Sequence, residues 1–171
     1  SCWGEIPLRR ASVPAPQEVV RADRARSVAA TASSLCTVDD RGTAACAGQN
    51  VFGQLGHDPA RITDLPTLSP VANLPPVAGI CMLTGVTCAL DTSGGVWCWG
   101  SNRGFLLGDA DPSSRWTPQR IPSLQDVVAL DLQGAACAVR SDGTVWCWGQ
   151  RHNGLMGDGT WIASTGEALA D

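Results

Sequence analysis

The chain has 171 residues, 16 acidic and 12 basic side chains, and a net charge of −4; all its basic residues are Arg. That balance, with no dense basic run, argues against a nucleic-acid surface. No apolar stretch reaches the roughly 18–20 residues of a membrane helix, so no membrane insertion is expected. The 19 Gly and 11 Pro leave no room for long helices, and 7 Trp beside 2 Phe and no Tyr suggest one motif that uses Trp repeatedly.

In chain order, SCWG (1–4) comes first, followed by Arg residues at 9, 10, 21, 24 and 26 that alternate with acidic and apolar neighbours, as on a solvated face. A Pro-rich link, VPAPQEVV (13–20), leads to the strand-like run SVAATA (27–32) and then to CTVDDRGTAACAG (36–48). A Gly-rich loop, GQNVFGQLGHD (48–58), follows. The same order returns as SPVANLPPV, VAGICML, CALDTSGGVWCWG (88–100) and GSNRGFLLGD, and again as TPQRIPSL, DVVALDL, CAVRSDGTVWCWG (137–149) and GQRHNGLMGDGT.

Each Cys-to-Cys segment spaces its two Cys ten positions apart and places a Gly six after the first: Gly42, Gly94 and Gly143. Zinc sites use tighter Cys clusters. The spacing instead predicts β-hairpins with three-residue loops, Asp40-Arg41-Gly42, Thr92-Ser93-Gly94 and Ser141-Asp142-Gly143. Gly takes the left-handed place of a type I turn with a G1 bulge in each. Counting outward, Val38 meets Ala44, Leu90 meets Val96 and Val139 meets Val145. Two steps further, Cys36 meets Cys46, Cys88 meets Cys98 and Cys137 meets Cys147. Parity puts these Cys pairs at non-hydrogen-bonded sites, where Cα atoms come within about 4.5 Å. Three disulfides are therefore expected, each stabilising its hairpin by roughly 2–3 kcal/mol and implying an oxidising compartment.

Cys2 holds the place of Cys46, Cys98 and Cys147, giving intervals of 44, 52 and 49 residues. A period near 50 with several short strands suggests propeller blades. The hairpins followed by GQNVFGQLG resemble the regulator-of-chromosome-condensation repeats, in particular disulfide-bearing versions with a V-W-C-W-G strand, associated with secreted bacterial proteins. The resemblance covers about residues 1–160 and implies an all-β fold. About three complete blades are expected, plus a strand at each end: a last strand at 1–4, blades at 5–56, 57–108 and 109–157, and the start of a next blade or a tail at 158–171. The repeats depart from the family at Ala45 and Ala47 in place of Trp, at Phe105 in place of Gly, and at Arg151 in place of Asn. An open arc has three explanations: an excerpt of a longer propeller supplying the remaining blades, two copies completing a ring, or an arc stacked on another partner or into a fibre. Cys81 falls on a first strand, where Ala29 and Leu130 are its expected equivalents, and reads as a buried thiol or a partner for Cys2.

No catalytic constellation stands out. His57 and His152 lie in loops, and a triad drafted from them with Asp58 or Asp158 lacks a nucleophile elbow. Asp109, Asp111 and Asp158 form no calcium frame, and neither metal nor cofactor is expected. Trp97, Trp99, Trp146 and Trp148 alternate with the cysteines, pointing away from the disulfides to pack between blades or to stack a ligand. Trp116 and Trp161 stand in polar loop segments. With Arg103, Phe105, Arg115, Arg151 and His152 they offer rim chemistry suited to a protein partner. The expectation is a non-catalytic binding scaffold, extracellular, on the cell surface or periplasmic, holding a protein or other macromolecule by its rim loops. Alternatives are a self-associating ring or filament subunit and an inhibitor of a secreted enzyme such as a β-lactamase. The family's exchange-factor role on a nuclear GTPase with chromatin fits badly, since that setting is reducing and chromatin favours basic surfaces.

Overall fold

The computed structural model describes residues 22 and 24–149 and three outlying strands, Cys2–Glu5, Ser12–Gln17 and Ser164–Ala168. Every described element is a strand. β1 (Cys2–Glu5) and β2 (Ser12–Gln17) form a two-stranded sheet. Three four-stranded antiparallel sheets follow, each a meander. The first is β3 (Ala25–Ala30), β4 (Ser34–Asp39), β5 (Ala44–Gln49) and β6 (Asp64–Pro70). The second is β7 (Val77–Leu83), β8 (Val86–Asp91), β9 (Val96–Gly100) and β10 (Arg115–Arg120). The third is β11 (Val127–Leu132), β12 (Ala135–Arg140), β13 (Val145–Gly149) and β14 (Ser164–Ala168).

The central hairpins have the expected register. Val38 faces Ala44 and Cys36 faces Cys46, with the same relation in the other two. In the first turn the Gly42 N–H donates to Asp39 O, and Asp39 N–H donates to Thr43 O, both at 3.1 Å. Gly42, Gly94 and Gly143 have φ of +81°, +83° and +88°, the left-handed conformation this turn requires. The disulfides Cys36–Cys46, Cys88–Cys98 and Cys137–Cys147 span Cα separations of 4.0, 4.1 and 4.1 Å.

The sheet boundaries differ from the expected units. Segments read as Pro-rich links supply most of the outer strands β2 and β10 and the last two residues of β6, and Pro is tolerated there because an edge strand leaves one row of N–H groups unused. Pro66 and Pro118 also fall within register shifts, between Cys46 and Gly48 and between Arg115 and Gln119. The sheets thus run from 25 to 70, 77 to 120 and 127 to 168, across the expected breaks after 56 and 108. β14 lies in the segment expected to begin another blade or a tail, yet it pairs with β13, Cys147 opposite Glu167. Cys81 is likewise one place off. It stands opposite Cys88, as Ala29 stands opposite Cys36, but Asp131 and not Leu130 stands opposite Cys137. The connection from β11 to β12 is one residue shorter: the residue opposite the first cysteine lies seven before it in the first two sheets (Ala29 to Cys36, Cys81 to Cys88) and six before it in the third (Asp131 to Cys137).

Sheets stack face to face in chain order. Cys36, Cys46, Val38 and Ala44 on one side of the first sheet share a core with Ile80, Met82, Ala89 and Trp99 of the second. The disulfide side of the second, Cys88, Cys98, Val86 and Val96, shares a core with Leu132, Ala136, Ala138 and Trp148 of the third. Backbone bonds latch the turns to the connectors. Val77 N–H donates to Gly42 O and Thr92 N–H to Pro76 O; Val127 N–H donates to Gly94 O and Ser141 N–H to Asp126 O. The first and second sheets therefore turn their disulfides to the sheet after them, and the second and third turn their Ala–Trp sides to the sheet before them.

Candidate functional site

The loops that leave β5 and β9 are built around one asparagine each. Asn50 Nδ2 donates to His57 O at 2.9 Å and Ile62 O at 2.7 Å, and its Oδ1 accepts the Leu55 N–H at 2.9 Å. Asn102 repeats this: Nδ2 reaches the Asp109 and Asp111 carbonyls, and Oδ1 accepts Leu107 N–H at 2.8 Å. Both are fully buried. Such an amide satisfies backbone groups that a loop has no ladder to satisfy. Both loops carry the asparagine in a Gly-x-Asn spacing, at 48–50 and 100–102.

Each loop then reaches the next sheet. Gln54 O accepts Thr87 Oγ1–H at 2.7 Å and the Trp99 indole N–H at 2.8 Å; Leu106 O accepts the Trp148 indole N–H at 2.9 Å. Trp99 and Trp148 are fully buried, so they serve packing between sheets and not ligand stacking. Trp97 and Trp146 are half-buried and their indoles bond Asp91 Oδ2 and Thr144 Oγ1, while Arg140 lies 5.8 Å over the Trp146 ring.

Residues 93–140, from the second hairpin turn through β12, match the family model described as Regulator of chromosome condensation (RCC1) repeat. The chain is an arc of RCC1-type propeller blades. Human WBSCR16 superposes with TM-score 0.73 at 18% identity, over 86% of this chain and 40% of that protein. Yeast RCC1 (Prp20), in a structure bound to Kap60, gives 0.72 at 16% identity over 86% and 37%. Prp20p from Saccharomyces cerevisiae, described with its binding properties to Gsp1p and histones, gives 0.72 at 15% over 86% and 39%. At these identities the likeness is one of fold, and the chain spans about two fifths of each of those proteins. No curated protein sequence matches the chain.

On this RCC1-type arc the predicted rim residues separate. Trp116 is 42% exposed and lies in strand β10, not in a loop as its polar neighbours suggest. It rests on the first blade's loop: a Cβ added at Gly53, at φ +79°, would fall 2.4 Å from Trp116 Cβ. Only glycine permits so close an approach. Arg115 is turned inward and pairs with Asp109, which also accepts from Asn102, so it anchors the loop and does not face a partner. Arg103 is exposed and Phe105 half-buried on the tight turn of that loop, Phe105 at φ +56° where the first blade has Gly53. Arg151, His152 and Trp161 lie outside the described residues.

The loop carboxylates are committed to structure, whereas His57 is half-buried and its Nε2 has no hydrogen-bond partner among the described residues. Asp58 caps the Ala60 N–H and pairs with Arg61 at 3.6 Å, and Asp111 accepts the Ser113 N–H. Among the described residues no three His, Cys, Asp or Glu side chains converge as metal ligands. The inner strands border an open pocket of about 370 Å³ lined by Ser27, Gly79, Cys81, Leu90, Val128 and Leu130. Burial, with the Asp131 charge second, pushes the Cys81 thiol up to about 12, which keeps it protonated and poorly nucleophilic.

Proposed function

We propose that the chain is a non-catalytic, secreted binding scaffold that holds a protein partner through the rim carrying Trp116, Arg103 and Phe105. The observation that carries this is Trp116: a large indole, partly open to solvent, whose backbone is fixed by strand β10 and by contact with Gly53. A rigid, partly exposed Trp is the kind of residue that dominates binding energy in protein interfaces. The yeast proteins of similar fold are described with protein partners, Kap60, Gsp1p and histones, which supports a binding role for blades of this kind. Three disulfides favour an extracellular or periplasmic setting.

The test is affinity capture from the extracellular fluid of the source cells with immobilised wild type and Trp116→Ala, both first shown to melt at the same temperature. A protein retained by wild type and lost by the variant is the expected result. Equal retention by the two sinks the rim reading.

A further inference from the structure

The loops after β5 and β9 align residue for residue, GQNVFGQLG (48–56) with GSNRGFLLG (100–108), so Phe52 corresponds to Gly104 and Val51 to Arg103. Phe52 reaches from the first loop to the second sheet and covers the turn between β7 and β8. A Cβ added at Gly85 in that turn would fall 2.7 Å from Phe52 Cδ2. Gly85, at φ +81°, is buried under the ring. A glycine there lets the backbone come flat against an aromatic face.

The third sheet carries the same turn without the ring. Gly134 lies three residues before Cys137, as Gly85 lies three before Cys88, and its φ of +97° is again left-handed. It is exposed, and a Cβ added to it would meet nothing within 4 Å among the described residues. The loop that should cover it is in place. A Cβ added at Gly149, which pairs with Ala135 next to Gly134, would fall 2.6 Å from Leu106 Cδ2 and 3.4 Å from Gly104 O. Only the covering side chain is missing, because position 104 is glycine and the loop's own Phe105 comes one place later. The site lies between two adjacent sheets inside the arc, not at either end of it.

The same loop adds a charge where its counterpart is apolar. Arg103 stands in the place of Val51, is exposed, and has no ion-pair partner among the described residues. We propose that Gly104 and Gly134 form a socket for one aromatic side chain of a partner protein, and that a carboxylate beside that side chain pairs with Arg103. The occupant is read from inside the molecule: Phe52 over Gly85 shows which side chain this kind of junction takes. The added Arg sets the charge that the partner complements. The socket rests on the rim-binding reading above and supplies the partner's chemistry, an exposed Phe, Tyr or Trp next to Asp or Glu. An aromatic anchor seated in a pocket is the arrangement that concentrates binding energy.

Panning a random dodecapeptide phage library on the intact protein tests it. Enriched sequences are expected to share an aromatic residue next to Asp or Glu. A synthetic peptide of the top sequence should bind wild type and lose about tenfold or more in affinity for Gly104→Phe. That variant restores the ring at a position whose φ is not left-handed. Arg103→Glu should also weaken the peptide, and replacing the peptide's acid by Lys should restore binding. This second variant leaves the glycines untouched, so it decides the matter if Gly104→Phe misfolds. Absence of an aromatic–acidic sequence, equal binding to a folded Gly104→Phe, or no charge reversal at position 103 overturns the proposal. Trp116→Ala separates the socket from the rim reading. A partner lost by Trp116→Ala but held by Gly104→Phe keeps the rim and removes the socket. Peptide binding untouched by Trp116→Ala and lost by Gly104→Phe establishes the socket without Trp116.

Discussion

The indole N–H of Trp99 donates to the carbonyl oxygen of Gln54, 45 residues earlier in the chain and in the preceding blade. Trp148 does the same to Leu106. The two bonds differ in one respect: Gln54 O also accepts from Thr87, whereas Trp148 is the only described donor to Leu106 O.

Replacing each Trp by Phe keeps the ring and deletes the donor. Trp148→Phe leaves a buried carbonyl unpaired and should cost about 1–3 kcal/mol, whereas Trp99→Phe, with Thr87 still in place, should cost about 1 kcal/mol or less. Urea unfolding at matched slopes measures both. Equal costs, or the reverse order, would contradict the roles given to these carbonyls.

Asn102→Ala removes the acceptor for the Leu107 N–H and the donor to two loop carbonyls. A loss of roughly 1–3 kcal/mol is expected, with faster hydrogen exchange at the Leu107 amide than at strand amides of β8. Unchanged exchange at Leu107 would mean that the loop holds itself by other means.

Asp91 should give the second blade an acid-sensitive turn. Burial alone would raise its carboxyl, but hydrogen bonds from Ser93, Trp97 and the Gly95 N–H together hold it below its ordinary value of 3.8. A depressed carboxyl contributes stability above the unfolded value and loses it as pH falls through the lower folded value. The stability gap between wild type and Asp91→Asn should therefore be constant above pH about 5 and narrow below pH about 4. Denaturant midpoints across that range check it; a gap that widens in acid refutes it.

The three disulfides should open to reductant in a fixed order. Cys36, Cys46, Cys88 and Cys98 are at most 1% exposed, while Cys137 is half-buried beside a cavity. Partial reduction, alkylation and peptide mapping should find Cys137–Cys147 reduced first. Early labelling of Cys36 or Cys88 would show that local opening, and not static exposure, governs access.

The hairpins were legible because three constraints coincide at short range. A left-handed glycine, a period-two strand and a ten-residue cysteine spacing each fix the same register. Blade outer edges were not legible, because Pro and polar residues in β6 and β10 lack the alternation that marks a strand, and their pairing depends on a sheet already formed. The Cys81 equivalence slipped by one for a related reason, since the β11–β12 connection is one residue shorter than its two counterparts and strand composition does not show where the turn falls. Parity puts Trp99 and Trp148 on the face opposite the disulfides, but their burial, visible only in the fold, decides packing between blades over ligand stacking. Arg115 was read as open to a partner because its ion pair with Asp109 closes only when the loop folds around Asn102.

One consequence follows from where the disulfides lie in the sequence. Six cysteines can be joined in 15 ways, but each bond here joins residues ten apart within one turn of chain. Partners that near meet by local diffusion before distant parts of the polypeptide come together. Oxidation of a newly made chain can then run hairpin by hairpin, in any order, with little call on shuffling enzymes. Each blade arrives at assembly with its covalent register already set.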